Sequence, residues 1–372
     1  MGEIQIVEVK NSTQLKEFVQ FTNTLYRDSP HFVPSLFDDE MAFWDAKKNP
    51  ALLFSEAKQF LAYKNGEIAG RIAVMINHKE KETDAKVRFG WIDFIDDFEV
   101  SSALLKIAVD YAGQNGIHKI EGPMGFTNLD KAGMLTMGFD RLATMIGIYN
   151  YDYYPHHLEK FGMKKEKEWV EYEIVFPEIL PEKVVKFNET IREKYGLKVL
   201  QFQNKSEILP LVEPMFQLLD ETYRSLSTYT PITDEQIEHY KTKYFGFLDK
   251  DYIICIEDAN KKLVAFAITM PSYSQALQKA KGKMFPFGWW HFLQAGKKND
   301  RANFYLIGIH PEYQRRGVTS IIFKEIYEVF RKKGVKYLET NPELEENRNI
   351  QLLWQDYQPV NHKRRRTYSL EF

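Results

Sequence analysis

The chain has 372 residues, 44% of them hydrophobic and 27% charged, and a net charge of −2. That length predicts two domains of ordinary size, and that composition excludes a disordered chain. A nucleic-acid binder concentrates basic excess on one face, and the only dense basic run here is Lys363-Arg364-Arg365-Arg366 near the C-terminus, so no nucleic-acid partner is expected.

At the N-terminus, Met1-Gly2-Glu3-Ile4-Gln5-Ile6 lacks the regions of a signal peptide, and Ile6 stands where a myristoylation signal needs Ser or Thr. No run approaches the roughly 18 apolar residues of a membrane span. The expectation is a cytoplasmic protein with no transmembrane segment. A strand over 4–9 is followed by Asn11-Ser12-Thr13-Gln14, a helix start with a capping side chain and a Gln three positions on. Leu15, Phe18, Val19 and Leu25 keep helical spacing toward Ser29-Pro30. Strands over 59–63 and 68–76 flank the turn Lys64-Asn65-Gly66, then come a strand over 89–94, a helix over 98–115 closed by Gly116, and a strand over 119–121. The loop from Gly122 to Asp130, with Asn128, carries polar groups that read mainly as a turn.

Two prolines in Pro177-Glu178-Ile179-Leu180-Pro181 interrupt the chain, which places one domain at 1–176, a linker at 177–197 and a second domain at 198–372. The second half repeats the first: a hairpin over 252–256 and 263–270, a strand over 304–309, a helix over 320–333 closed by Gly334 and a strand over 337–340. An offset of 218 residues sets Gly116 on Gly334, Gly90 on Gly308 and Glu121 on Glu339 without a gap, which points to duplication. Cys255, the only cysteine, lies in an apolar strand and reads as core; it leaves no disulfide and no cysteine-rich metal site. The stretch 272–300, with Phe285, Phe287, Trp289, Trp290 and Phe292 between lysines, is an insertion between strands. It admits three readings: a lid over an apolar chain, an interfacial or dimer patch, or a buried plug. The tail over 362–370 reads as a solvated sheet edge protected by its cations.

The connection His310-Pro311-Glu312-Tyr313-Gln314-Arg315-Arg316-Gly317-Val318-Thr319 joins an apolar strand to an amphipathic helix. Successive amides at a helix N-terminus form a concave anion site, Gly317 permits close backbone approach, and Arg315 and Arg316 add positive charge. Gln314 to Thr319 resembles the Q/R-x-x-G-x-G/A signature of the GNAT acetyltransferases, with Thr319 in place of the small sixth residue. The resemblance implies a mixed α/β (α+β) fold of two tandem GNAT-like domains, each a mostly antiparallel central sheet flanked by helices. It implies acetyl-CoA or another acyl-CoA as co-substrate, held by Ile307, Ile309, Gln314, Arg315, Arg316, Gly317, Val318, Thr319 and Asn347, and no metal. The acceptor would be an amine of a small molecule, a peptide or a lipid-like compound, and the protein a monomer or homodimer.

Asn347 matches the family's helix-opening asparagine, whereas Trp354 occupies the place of the tyrosine that protonates the leaving thiolate, and an indole cannot serve as an acid. Tyr357, three residues on along the expected helix, is the substitute candidate, and Glu339, Glu312 and His310 are the candidate bases, with Glu339 taken first. In the first half, Asp96-Asp97-Phe98-Glu99 align with Gln314–Gly317 under the same offset, so three carboxylates stand where a phosphate would sit and the first copy is not expected to bind coenzyme A there. One competent and one degenerate copy resemble the arrangement of N-myristoyltransferases and peptidoglycan-bridge aminoacyl transferases. The sequence therefore predicts an acyl-CoA-dependent N-acyltransferase. A non-catalytic acyl-CoA sensor on the same fold is the alternative that Trp354 keeps open.

Overall fold

The computed structural model of the chain describes residues 3–80, 84–127, 129–180, 182–223, 232–246 and 248–372. In chain order its first elements are β1 (Ile4–Glu8), α1 (Ser12–Leu25), α2 (Phe37–Phe43), β2 (Ser55–Lys64), β3 (Glu67–Asn77), β4 (Val87–Phe94) and α3 (Phe98–Gln114). β5 (Lys119–Gly122), β6 (Met134–Met137), α4 (Tyr153–Lys160), β7 (Lys164–Val175) and α5 (Glu182–Tyr195) follow. Then come β8 (Lys198–Val199), α6 (Leu209–Tyr223), α7 (Asp234–Phe245), β9 (Ile253–Glu257), β10 (Leu263–Pro271), α8 (Ser274–Ala280) and α9 (Gly288–Lys297). The chain closes with β11 (Arg301–Ile309), α10 (Val318–Lys333), β12 (Tyr337–Thr340), β13 (Glu343–Leu344), α11 (Arg348–Gln351) and β14 (Val360–Glu371).

Two compact units result, and neither is a single stretch of chain. The first gathers Met1–Val170, Tyr273–Leu293 and His362–Phe372; the second gathers Glu171–Ser272 and Gln294–Asn361. The 177–197 segment read as a linker is mostly the helix α5, which packs on α10 in the second unit.

In the first unit the strands run β1-β2-β3-β4-β5-β14, with β4 and β5 parallel and the other pairs antiparallel. Local chemistry explains the ends of its elements. Asn11 Oδ1 accepts from Gln14 N at 3.0 Å while Lys10 N donates to Gln14 Oε1 at 2.8 Å, so two otherwise unpaired amides of α1 are satisfied reciprocally. Asn65 and Gly66, at φ 54° and 82°, make the two-residue turn whose twist matches the β2–β3 hairpin. The 122–130 loop is held internally: Asp130 Oδ2 accepts from Thr127 N at 2.8 Å and Arg88 donates to Gly125 O at 2.9 Å. Asn128 lies outside the described residues.

The basic run near the C-terminus is not a solvated edge. β14 lies between β5 and β7 in strand order, and Lys363 and Arg365 are fully buried. Lys363 Nζ donates to Leu142 O at 2.7 Å, Arg365 donates to Ile148 O, and Arg364 pairs with Glu168 at 2.9 Å. Burying a cation is costly unless its donors are met, and the carbonyls of Leu142 and Ile148 meet one donor each on Lys363 and Arg365. The sequence signal for an edge was misleading because those acceptors lie more than 200 positions away in the chain.

In the second unit Glu171–Val175 of β7 is followed by β12-β11-β10-β9-β8, again with one parallel pair, β11 and β12. Cys255 is buried in β9, and burial pushes its thiol up to about 12. The repeat is visible in the strand–helix–strand units β4-α3-β5 and β11-α10-β12, but the ungapped alignment needs correction. Ile120 pairs with Val87 and Leu338 with Ala302. Matching 120 to 338 gives 218, whereas matching 87 to 302 gives 215, so the second crossover is three residues longer. Gly90 and Gly308 therefore do not hold equivalent ladder positions. The connection from strand to helix is the longer part, residues 95–97 in the first copy and residues 310–317 in the second, while the helix and the turn after it are each one residue shorter in the second.

The aromatic insertion is helical. Gly282 O accepts from Phe37 N at 2.8 Å, Gln278 Nε2 donates to Phe32 O at 2.8 Å, and Phe292 stacks on Tyr273 at 5.3 Å, all within the first unit. A buried plug is excluded, because Phe285, Phe287, Trp289 and Trp290 are exposed and only Phe292 is enclosed.

Candidate functional site

The second unit's site begins with the way β11 leaves its neighbours. His310 N donates to Val264 O at 2.9 Å, so by strand alternation Gly308 and Leu306 also face β10, and Ile307 and Ile309 turn their N–H and C=O groups the other way. On that other side β12 pairs only with Arg301–Phe304. Tyr305 is left as a bulge between Leu306 and Phe304, and Asn341 pins the divergence, its N donating to Phe304 O at 3.1 Å and its Nδ2 to Tyr305 O at 2.8 Å. Among the described residues no strand covers the edge at Ile307 and Ile309. Their carbonyls are occupied by side chains: Tyr223 Oη donates to Ile307 O at 3.1 Å and Gln314 Nε2 to Ile309 O at 3.0 Å.

The connection from β11 to α10 is the second part. Arg315 and Gly317 both adopt left-handed φ, 60° and 81°. Gly317 is the N-cap of α10 and no side chain caps the helix. Among the described residues the amides of Arg315, Gly317, Val318 and Thr319 have no acceptor, and they converge at the positive end of a 16-residue helix. A Cβ on Gly317 would meet Ile191 of α5 at 3.2 Å. Arg316 stacks over Tyr195 at 5.4 Å and Tyr313 at 5.9 Å, which holds its guanidinium beside the loop without pairing it to a carboxylate. Val318 is buried as the first helical residue, and Thr319 is half-buried in the first turn.

The first unit's counterpart is closed by its own side chains. Asp97 caps α3, accepting from Glu99 N at 3.0 Å, and Lys64 pairs with both Asp97 and Glu99. The Lys64 bond draws the Asp97 carboxyl below its usual range. An incoming anion would have to displace a carboxylate already in place.

The other sequence candidates separate. Asn347 is the N-cap of α11, as the resemblance implied, although its side chain makes no capping bond. The helix through 357 does not form: α11 ends at Gln351, and Gln355–Tyr357 is a separate 3-10 turn. Tyr357 packs on Phe323 at 5.1 Å and Phe176 at 6.4 Å; Phe176 N donates to Lys336 O, at the start of β12, whereas the divergence opens beyond its end. Its buried hydroxyl finds no partner, and burial raises its pKa well above 10. Glu339 sits between Asn303 and Glu173 in the sheet and acts electrostatically on Arg301. His310 Nδ1 accepts from Glu312 N at 3.3 Å, which engages the ring in the turn, and Glu312 is exposed.

Sequence reasoning missed Glu343. This carboxyl, on β13 just past the divergence, is 9% exposed, accepts from Trp354 Nε1 at 2.7 Å through Oε1 and has no partner at Oε2 among the described residues. Burial pushes it up to about 8; the Trp354 bond lowers it and the charge of Glu171 raises it. Tyr223, whose hydroxyl reaches Ile307, is raised to about 12 by burial and then by Glu343. No local pattern distinguishes Glu343 from Glu345 or Glu346, and Tyr223 is 84 positions from its acceptor.

A strand edge splayed open beside an uncapped helix N-terminus is the arrangement of an acyltransferase-type α/β fold, and only the second unit carries it, the first unit's helix being capped by Asp97. Residues 212–355 match the model of the acetyltransferase (GNAT) family. Over those residues the chain resembles that family, and its overall fold is that of a tandem GNAT structure. It is 26% identical over 373 residues to Protein YghO of Escherichia coli, covering 96% of this chain and 93% of that one. It is 23% identical over 323 residues to a bacterial ceramide synthase of Caulobacter vibrioides, covering 84% and 82%. Among solved structures, a tandem GNAT protein from the clavulanic acid biosynthesis pathway shares the fold with a TM-score of 0.57 at 11% identity, over 99% of this chain and 98% of that one. No helix among the described residues is long and apolar enough to cross a membrane.

Proposed function

We propose that the protein is an N-acyltransferase that moves an acyl group from acyl-CoA to the primary amine of a long-chain acceptor. The observation that carries this reading is the pairing of the free amides of Arg315, Gly317, Val318 and Thr319 with the outward N–H groups of Ile307 and Ile309. The first suits the pyrophosphate of the thioester co-substrate, and the second suits the thioester end of the same molecule. Val318, Thr319 and Arg316 border the first, and Asn347 opens the next helix.

In this reading the amine attacks the thioester carbonyl, the nitrogen–carbon bond forms, and the coenzyme A thiolate leaves. The N–H groups of Ile307 and Ile309 meet the developing oxyanion, and Glu343 takes the proton from the amine. A carboxyl at about 8 is matched to an amine near neutrality better than an exposed glutamate is. Glu343 thus replaces Glu339 and Tyr357 as the proposed proton carrier. Trp354 then has a task as the donor that orients the base, which removes the reason for a non-catalytic sensor. Among small-molecule, peptide and lipid-like amines, the similarity to a ceramide synthase favours the last, since a ceramide is the amide of a long-chain amino alcohol.

The test is free-thiol release from acetyl-, octanoyl- and palmitoyl-CoA with long-chain amino alcohols, short amines and peptides, beside the shift of melting temperature with each thioester. Thiol release with a long-chain amino alcohol is expected. No melting shift with any thioester would end the reading.

A further inference from the structure

We infer that Phe285–Leu293 of the first unit is a docking surface for an anionic lipid bilayer, on which the protein rests without spanning it. This goes beyond the proposed reaction and stands without it. Trp289, Trp290 and Leu293 share one side of α9, opposite the buried Gly288 and Phe292. Phe285 and Phe287 stand in the turn before it, 78% and 71% exposed. Five large apolar side chains in a nine-residue segment exceed the scattered exposure of an ordinary surface.

Charge decides the occupant. Lys279, Lys281 and Lys283 are all exposed on the approach to the patch, and no Asp or Glu occurs between Pro271 and Leu293. Aromatic and leucine side chains preceded by exposed lysines, with no acid in the same segment of chain, suit the boundary between acyl chains and anionic headgroups. A protein interface would place opposite charges around such a patch to fix its register.

The aromatic groups are also prepared for an apolar phase. Trp289 Nε1 donates to Pro286 O at 2.9 Å, so its ring enters lipid without an unmet donor. Trp289 N bonds Met284 O at 2.9 Å, and a Cβ on Gly288 would lie 1.9 Å from Lys283 O, so the backbone packs closely there and the phenylalanines are turned outward. Gly282 and Gln278 tie the base of the segment to residues 30–37.

Flotation of the full chain with vesicles tests this, using phosphatidylcholine alone and phosphatidylcholine with a third of phosphatidylglycerol, at low and high salt. Binding to the anionic vesicles is expected, with a blue shift of tryptophan emission and weakening by salt. Trp289→Ser with Trp290→Ser should weaken binding more than tenfold, and Lys281→Glu with Lys283→Glu should cost at least about fivefold per residue on anionic vesicles alone. Phe285→Ser, in the exposed turn, serves as a second apolar variant, and unchanged melting temperatures establish that all variants fold. Absence of binding, or variants that bind like the parent, overturns the inference. So does a dimer that Trp289→Ser with Trp290→Ser converts to monomer, since a second copy would then cover the patch.

Discussion

Trp354 Nε1 donates to Glu343 Oε1 at 2.7 Å, joining the residue that replaces the expected acid to a buried carboxyl with one oxygen unpartnered among the described residues. The indole bond favours the charged carboxylate and so opposes the rise that burial imposes. Trp354→Phe keeps the packing against Phe304 and Phe323 but removes that donor. The apparent pKa of the rate should move up, so that activity falls several-fold at pH 7 and recovers at higher pH. A pH profile that does not move would show that Trp354 only fills space.

Glu343→Gln removes the proposed base. Acyl transfer should fall by about 10²–10⁴-fold, with little change in the melting shift produced by acyl-CoA. In the parent the rate should rise with pH through about 8 as the carboxylate forms. That limb should disappear in the variant.

The same group predicts how stability depends on pH. The Glu343 pKa is raised in the folded chain, so between its ordinary value of 4.5 and about 8 the folded state holds a proton that the unfolded state has lost. Stability from this group is complete below the ordinary value and is lost as pH rises through that window. Denaturant titrations at pH 5 and pH 8 should show a smaller decline in Glu343→Gln than in the parent; an equal decline would place the carboxyl at an ordinary pKa.

Gly317→Glu should abolish thermal stabilisation by coenzyme A. It sets a carboxylate where phosphate would bind and forces an L side chain to φ 81° against Ile191, a strain of about 1–2 kcal/mol. Arg316→Glu should weaken binding with little change in melting temperature, since the guanidinium rests on tyrosine rings at an exposed place. A normal coenzyme A shift in both variants would remove the loop from the site.

Arg365→Ala should destabilise the first unit by about 3–5 kcal/mol, read from denaturant unfolding, because it leaves carbonyls such as Ile148 O without their donor and opens a cavity. Deletion of His362–Phe372 should give an insoluble chain. It removes the strand that pairs with β5 and exposes its unpaired edge.

Much of the fold was legible because local rules carried it. The capping pair Asn11 and Gln14, the Asn65-Gly66 turn and the left-handed stops at Gly116 and Gly334 each depend on a few adjacent residues. The left-handed, uncapped start of α10 was legible for the same reason, since Gly317 and the helix it opens are contiguous. The register of the repeat was less so: a slide of identities cannot detect a crossover that is three residues longer in the second copy, and the pairing of Ala302 with Leu338 reveals it.

The sequence by itself determined the alternation of strands and helices, the duplication and the loop that opens α10 at Gly317, all set by spacing within a few turns of chain. Tertiary structure alone decided that Lys363 and Arg365 are core, that Tyr357 sits away from the open strand edge and that Glu343 stands near it. Burial and hydrogen bonding between distant positions control whether a charge is solvated, paired or held near neutrality, and neither quantity exists until the chain has closed.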